Sequence, residues 1–210
     1  MKNLLRKAKH ILERKLKFYR RIGLKIKSAA IISNNCTGGY VYQYFGLTYN
    51  SPTAGLFFTG ADYVKLCENT AHYFSHELQF ISPEESKNKE RLKNTNRWGE
   101  YPIARCDDIE IYFMHYHSEE EASAKWRRRI SRVNYENMVF LLAESELSTA
   151  TDIHSFCELS APYKVCLTYH DYGDKTIFSS RVAEMDAPSW LPEIVLSSVN
   201  WKNVLNKACD

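Results

Sequence analysis

The sequence predicts an α/β fold: a three-layer, Rossmann-like arrangement of a mainly parallel sheet flanked by helices, preceded by a basic amphipathic N-terminal helix. Three observations predict it. Short, wholly apolar runs such as A-A-I-I-S and M-V-F-L-L-A suit strands buried on both faces, and they alternate with stretches whose apolar residues recur every three or four positions. The 210 residues, 44% hydrophobic, are enough for one good core and little more. Charge is also segregated: residues 1–27 hold eleven Lys or Arg and one acid, Glu13, whereas the remainder holds 17 bases and 24 acids. The chain therefore divides into a basic helix over residues 1–27 and a single acidic α/β domain over 28–210.

In the front segment, Leu4, Leu5, Ala8, Ile11, Leu12, Leu16, Tyr19 and Ile22 fall on one helical stripe, and cations fill much of the rest. Such a helix suits a bilayer interface, and the same pattern suits packing on the domain or on another subunit. Residues 29–33 read as the first buried strand, 34–39 as a loop, and Tyr40 opens a helix. Residues 54–58 read as a second strand, 61–74 as a helix and 78–81 as a short strand. The polar segment 82–100 reads as an exposed excursion with one helical turn at Pro83. Residues 103–106 and 109–116 read as strands around an Asp107-Asp108 turn. Ser118 with Glu121 forms a capping box opening a helix that reaches Val133. Residues 138–143 are a buried strand, 153–159 a helix, 164–169 a strand, 175–180 an edge strand or hairpin arm and 201–207 a last helix.

An acidic body excludes the spread basic footprint of a nucleic-acid reader, so no nucleic acid is expected as partner. The six cysteines include no C-x-x-C pair, which removes zinc-ribbon and thioredoxin signatures and favours reduced thiols. Lys and Arg interrupt every apolar run near the start, and no run approaches a membrane span. The expected location is cytoplasmic, with the basic helix offering peripheral contact to the anionic inner face of a membrane.

Chemistry is expected where strands end and helices begin. Asn34, Asn35, Cys36, Thr37, Gly38 and Gly39 join the first strand to a helix start, where free N–H groups attract anions and glycines admit a ligand to the backbone. Cys36 is a candidate nucleophile and Asn35 a candidate oxyanion donor; equally, the turn could be a helix cap beside a small buried thiol. His115 and His117, placed on one strand face by alternation, are candidate general acid or base; no third ligand is evident, so no metal is expected. Arg128 and Arg132, four apart, could clamp an anion or equally form an ordinary charged face toward Glu119 to Glu121, with Trp126 on the inner stripe of the same helix. Ser51 could line the same end of the sheet, and His170, Asp171 and Asp174 are further candidates.

The order Ile31-Ile32-Ser33-Asn34-Asn35-Cys36, then Leu47-x-Tyr49-x-Ser51-Pro52-Thr53, then His115-Tyr116 with Trp126 and the Arg129 to Arg132 stretch, resembles a bacterial family of exopolysaccharide biosynthesis proteins built on a domain of unknown function. The resemblance spans about residues 28–170. The Asn-Cys turn is also similar to that of capsule-biosynthesis acyltransferases, at the level of fold. The resemblance implies a transferase acting on a saccharide or sugar phosphate in surface polysaccharide synthesis; it leaves the cofactor unknown, with an acyl donor such as coenzyme A as one candidate. The alternative is a non-catalytic saccharide-binding or assembly protein of the same machinery.

Overall fold

A computed structural model describes residues 2–25, 28–93, 97–161, 163–173, 178–181 and 190–208. In chain order the elements are α1 (Lys2–Arg20), β1 (Ala30–Ser33), α2 (Thr37–Phe45), α3 (Gly60–Glu68), α4 (Thr70–Ser75), β2 (Gln79–Ile81), α5 (Lys89–Leu92), β3 (Ile103–Cys106), β4 (Ile109–Tyr112), α6 (Glu119–Ile130), β5 (Met138–Ala143), α7 (Ala150–Glu158), β6 (Lys164–Thr168), β7 (Phe178–Arg181), α8 (Pro192–Ser198) and α9 (Trp201–Lys207). The protein is mixed α/β: β1, β5, β6 and β7 form a parallel sheet in that order, and β2, β3 and β4 form a separate antiparallel sheet.

The apolar runs are strands because each buries side chains on two faces. Ala30, Ile32, Phe140, Leu142 and Cys166 pack with Tyr63, Phe74, Trp126 and Phe156 from α3, α4, α6 and α7. Ile31, Val139, Leu141, Val165 and Leu167 pack instead with Tyr42, Phe45, Val195, Trp201 and Val204 from α2, α8 and α9. Each large apolar side chain so buried contributes about 1.5–3 kcal/mol.

β1 is a sheet edge, and side chains occupy its outer hydrogen-bonding positions. The Tyr42 hydroxyl accepts from Ile31 N–H at 2.8 Å and donates to Ala29 C=O at 3.0 Å, while Thr53 Oγ1 accepts from Ser33 N–H at 2.9 Å. Blocking an edge in this way removes a template for pairing with another chain.

Several elements differ from the sequence reading. Residues 54–58 form a turn with one bridge, Phe57 to Tyr112, in place of a strand. Here the Ala54 carbonyl is satisfied by side chains, the Tyr116 hydroxyl at 3.0 Å and Arg129 Nη1 at 2.6 Å. The helix expected over 61–74 breaks at Asn69, whose φ of −140° and ψ of 58° are non-helical. The strand from Ile109 stops at Tyr112, because Met114 N–H turns back to Tyr112 C=O and Tyr116 N–H to Phe113 C=O. Alternation therefore does not reach His115 and His117. α6 ends at Ile130, short of Val133. The segment 82–100 is anchored, not a free excursion: Leu92 is buried, and Ser86 donates at 2.7 Å to Glu110, itself 1% exposed. α8, only seven residues long and opened by Pro192, was not foreseen.

On α1 the apolar Ile11, Leu12, Leu16, Phe18 and Tyr19 are all exposed, as is Ile22 in the turn that follows, and Arg20 lies 4.0 Å over the Tyr44 ring. The side chains of Leu4, Leu5 and Ala8, and residue Asp174, lie outside the described residues. No described helix is long and apolar enough to cross a membrane.

Candidate functional site

At their carboxyl ends β1 and β5 are joined partly through side chains. The Tyr63 hydroxyl donates to Ile32 C=O at 2.7 Å and accepts from Leu141 N–H at 3.0 Å. One step further, Asn34 Nδ2 donates to Ala143 C=O at 2.9 Å and Asn34 Oδ1 accepts from Ala143 N–H at 2.9 Å. The chain then leaves β1 for α2 on one face of the sheet and leaves β5 for α7 on the other. Adjacent strands whose connections part to opposite faces are where an α/β sheet opens a crevice.

A cleft of about 340 Å³ lies beside this point, lined by Cys36, Gly39, Tyr40, Gln43, Tyr49, Ala54, Gly55, His115, Tyr116, Lys125 and Arg129. Three phenol rings face it together with two cations and one thiol. Arg129 is fixed: Nη1 donates to the Ala54 carbonyl and, at 2.5 Å, to the Tyr116 hydroxyl, and the guanidinium lies 5.2 Å from the Tyr49 ring centre. Lys125 sits 5.0 Å over Tyr116 and is held at 2.5 Å by Glu121. Gly55, with φ +82°, brings the 52–55 turn against His115 and Tyr116; the left-handed φ favours glycine there. Cys36 stands at the N-cap position of α2 without a side-chain bond to the helix, and among the described residues its thiol has one hydrogen-bond partner, the Tyr40 hydroxyl at 3.5 Å. Burial first, then the bond to Cys36, pushes Tyr40 up to about 12, so this phenol stays protonated at neutral pH.

The candidate residues separate into two groups. Cys36, Gly39 and His115 share the cleft. Asn34 and Ser51 are fully buried, with Asn34 bonded to Ala143 as above and Ser51 bonded to Thr53 at 2.9 Å. Asn35 Oδ1 accepts from Thr37 N–H at 3.0 Å and from the Thr37 hydroxyl at 2.7 Å, which makes it a cap for α2. Trp126 is 2% exposed, edge-on to Phe74, and lines a second cavity. His117 is exposed beyond the cleft and donates its N–H to Glu121. Arg128 points to solvent on the outer side of α6, and Arg132 lies past the helix end, also exposed. The inward cations are Lys125 and Arg129. Sequence alone carried a signal for Arg129: it stands three residues after the inward Trp126, whereas Arg128 falls on the opposite side.

The two glycines differ in what surrounds them. A Cβ on Gly38 would stand 2.9 Å from Ser33 Cβ and 3.3 Å from Ile31 Cγ2, so this glycine lets α2 pack on β1. A Cβ on Gly39 would meet only Tyr49 Cε1, at 4.0 Å. Gly38→Ala is expected to lower stability by about 1–3 kcal/mol through overpacking. Gly39→Ala should raise it by about 0.5–1 kcal/mol through helix propensity. Urea midpoints moving in the same direction for both would contradict this division.

Among the described residues, Cys36, Cys67 and Cys106 are free thiols. Among the described residues, His115 and His117 share no group of three side chains placed to hold a metal ion; such a grouping is formed by His72, His76 and Asp107, outside the cleft.

The chain is 32% identical to an uncharacterised protein of Haemophilus influenzae over 142 residues, which cover 68% of this chain and 62% of that relative. Residues 7–191, and with them every residue lining the cleft, match one family model. The chain belongs to the family described as Domain of unknown function (DUF1919).

Proposed function

We propose that the protein is a transferase of surface (exo)polysaccharide synthesis that binds a saccharide or sugar phosphate in the Cys36–His115–Arg129 cleft. The reading is supported by one observation above all: three residues far apart in sequence line a single cleft walled by Tyr40, Tyr49 and Tyr116. Phenol rings suit the faces of a sugar, and a fixed guanidinium suits a phosphate or carboxylate. In the acyl-transfer form of the reading, Cys36 takes the acyl group from a thioester donor such as acyl-coenzyme A. His115 accepts the Cys36 proton and passes it to the departing thiol. A saccharide hydroxyl then takes the acyl group, and its proton returns through His115 to the restored Cys36 thiol. We read the sheet, covered on both faces, as a Rossmann-like three-layer arrangement.

A second reading has its own support. The only hydrogen-bond partner of the thiol among the described residues is a phenol that is no base at neutral pH, which favours a non-catalytic saccharide-binding or assembly role.

Incubation of the purified chain with acetyl-coenzyme A and hexose phosphates separates the two. Transfer should be accompanied by acylated Cys36 in intact-mass spectra and be lost in Cys36→Ala and His115→Ala. In either reading Arg129→Met should weaken glucose 1-phosphate binding about tenfold or more, since a charge-assisted hydrogen bond is worth about 1.5–3 kcal/mol. Transfer that survives both cleft substitutions ends the catalytic assignment, and unchanged sugar-phosphate affinity in Arg129→Met ends the cleft assignment.

We further propose a cytoplasmic location in which α1 acts as a basic amphipathic helix on the anionic inner membrane face. Its exposed Ile11, Leu12, Leu16, Phe18 and Tyr19, with Ile22 in the turn that follows, are available to acyl chains, and each nearby cation adds about 1 kcal/mol on an anionic surface. Flotation with anionic vesicles should be lost on deleting residues 1–27 or on changing to neutral lipid. Equal flotation of the shortened chain would remove the membrane from the account.

A further inference from the structure

We propose that His72, His76 and Asp107 form a binding site for a divalent transition-metal ion of the zinc class. His72 lies in α4 and His76 follows its last residue; four apart, they share one side of the turn, with ring centres 4.1 Å apart. Asp107 comes from the β3–β4 turn, where φ of +55° directs the chain sharply back, and its Oδ2 lies 2.7 Å from His72 Nε2. One ligand atom from each residue lies within 4.8 Å of the others. A tetrahedral ion with bonds of about 2.0–2.1 Å places its ligands about 3.3 Å apart, so rotamer adjustments suffice to close the set.

The surroundings are those of a site whose ligands are already oriented. His76 Nδ1 lies 2.8 Å from the His72 carbonyl oxygen; donating there leaves Nε2 with the lone pair, the arrangement usual for a metal-bound imidazole. The neighbouring Asp108 ties the turn to α3 and α4, through Lys65 at 2.5 Å and the Tyr73 hydroxyl at 2.8 Å, and Cys106 Sγ donates to the Tyr73 carbonyl. Two imidazoles and one carboxylate favour zinc-class ions over magnesium or calcium, which require mostly oxygen. Three protein ligands leave a coordination position open. His76 also walls the second cavity, about 360 Å³, beside Phe74 and Trp126, so a bound ion stands at that cavity's edge. The Trp126 indole N–H is buried without a partner among the described residues, an unmet donor in the wall of the same cavity.

The test uses the full reduced chain and the metal alone. Cobalt(II) should bind with one equivalent, giving visible ligand-field bands without a near-ultraviolet thiolate charge-transfer band, and zinc should displace it. His76→Gln and Asp107→Asn should each weaken zinc binding at least tenfold. Asn tolerates the left-handed φ, so Asp107→Asn should leave the melting temperature of the metal-free protein unchanged. His10→Gln, on exposed α1, should bind as wild type. A thiolate band, no cobalt uptake, or variants that bind zinc as wild type does would each overturn the proposal.

Discussion

Asn34→Ala is expected to destabilise the protein by about 2–5 kcal/mol, read as a fall in the urea midpoint at unchanged slope. The side chain is fully buried and gives both of its polar ends to one residue, Ala143, on the neighbouring strand. It supplies the pairing that a strand residue would supply just where β1 has turned away and its backbone can no longer reach. Alanine would leave the Ala143 N–H and C=O without partners and without water, and each such group costs about 1–3 kcal/mol. Leu141 N–H and Ile32 C=O, served by Tyr63 in the adjacent step, are unaffected, so the loss should be confined to one layer. Asn34→Asp should be at least as costly, because it keeps the acceptor, removes the donor to Ala143 and buries a charge. The contrast with ligand contact is sharp: folded Asn34→Ala should retain the sugar-phosphate affinity of wild type, within the altered folded fraction. A variant that is as stable as wild type yet loses ligand would put Asn34 back in the cleft.

Strands 103–106 and 138–143 and helix 201–207 were legible to the residue, because each is a short run of one dominant period ended by polar or turn residues. Residues 54–58 were not, since an apolar run of five buried in a turn looks the same in sequence as one buried in a strand. What distinguishes them is Arg129 and Tyr116 satisfying the Ala54 carbonyl from across the molecule, a contact no local pattern carries. The cleft was half legible for the same reason. Cys36 and His115 stand out by residue type, whereas the polar neighbours Asn34, Asn35 and Ser51 look identical in sequence whether they face a ligand or repair the backbone. On α6 the difference is one of phase: the i,i+4 pair Arg128 and Arg132 is exposed, and the helix turns the flanking Lys125 and Arg129 inward with Trp126. Glu144 carries no signal in sequence, because a glutamate after a strand ordinarily faces solvent.

That residue carries the other large effect. Glu144 is 2% exposed, and its carboxylate accepts from Tyr169 N–H at 2.9 Å, His170 N–H at 3.2 Å, His170 Nδ1 at 2.7 Å and the Tyr172 hydroxyl at 2.6 Å, pinning the segment after β6 to the end of β5. Burial acts to raise its pKa, but the hydrogen bonds from Tyr172, His170 and the two amides together outweigh it, and the carboxyl is held below the usual range. A carboxylate with a depressed folded pKa contributes stability that is fully present above its unfolded value, near 4.3, and is lost as pH falls through the folded value. Glu144→Gln turns an amide N–H₂ toward some of these donors and should cost about 3–5 kcal/mol at pH 7. Because the protonated acid and the amide are alike in charge, the gap between variant and wild type should narrow as pH drops below about 4. A gap that stays constant from pH 7 to pH 3 would mean that the carboxyl titrates alike in the folded and unfolded states, and a gap that widens as pH falls would mean that the native carboxyl is neutral, its bonds to His170 and Tyr172 then being neutral ones. The same series reads the two halves of the molecule separately. Tyr169, His170 and Tyr172 are not among the cleft residues, so acid-linked loosening here should be visible as faster hydrogen exchange at the Tyr169 and His170 amides before the amides of the cleft residues respond.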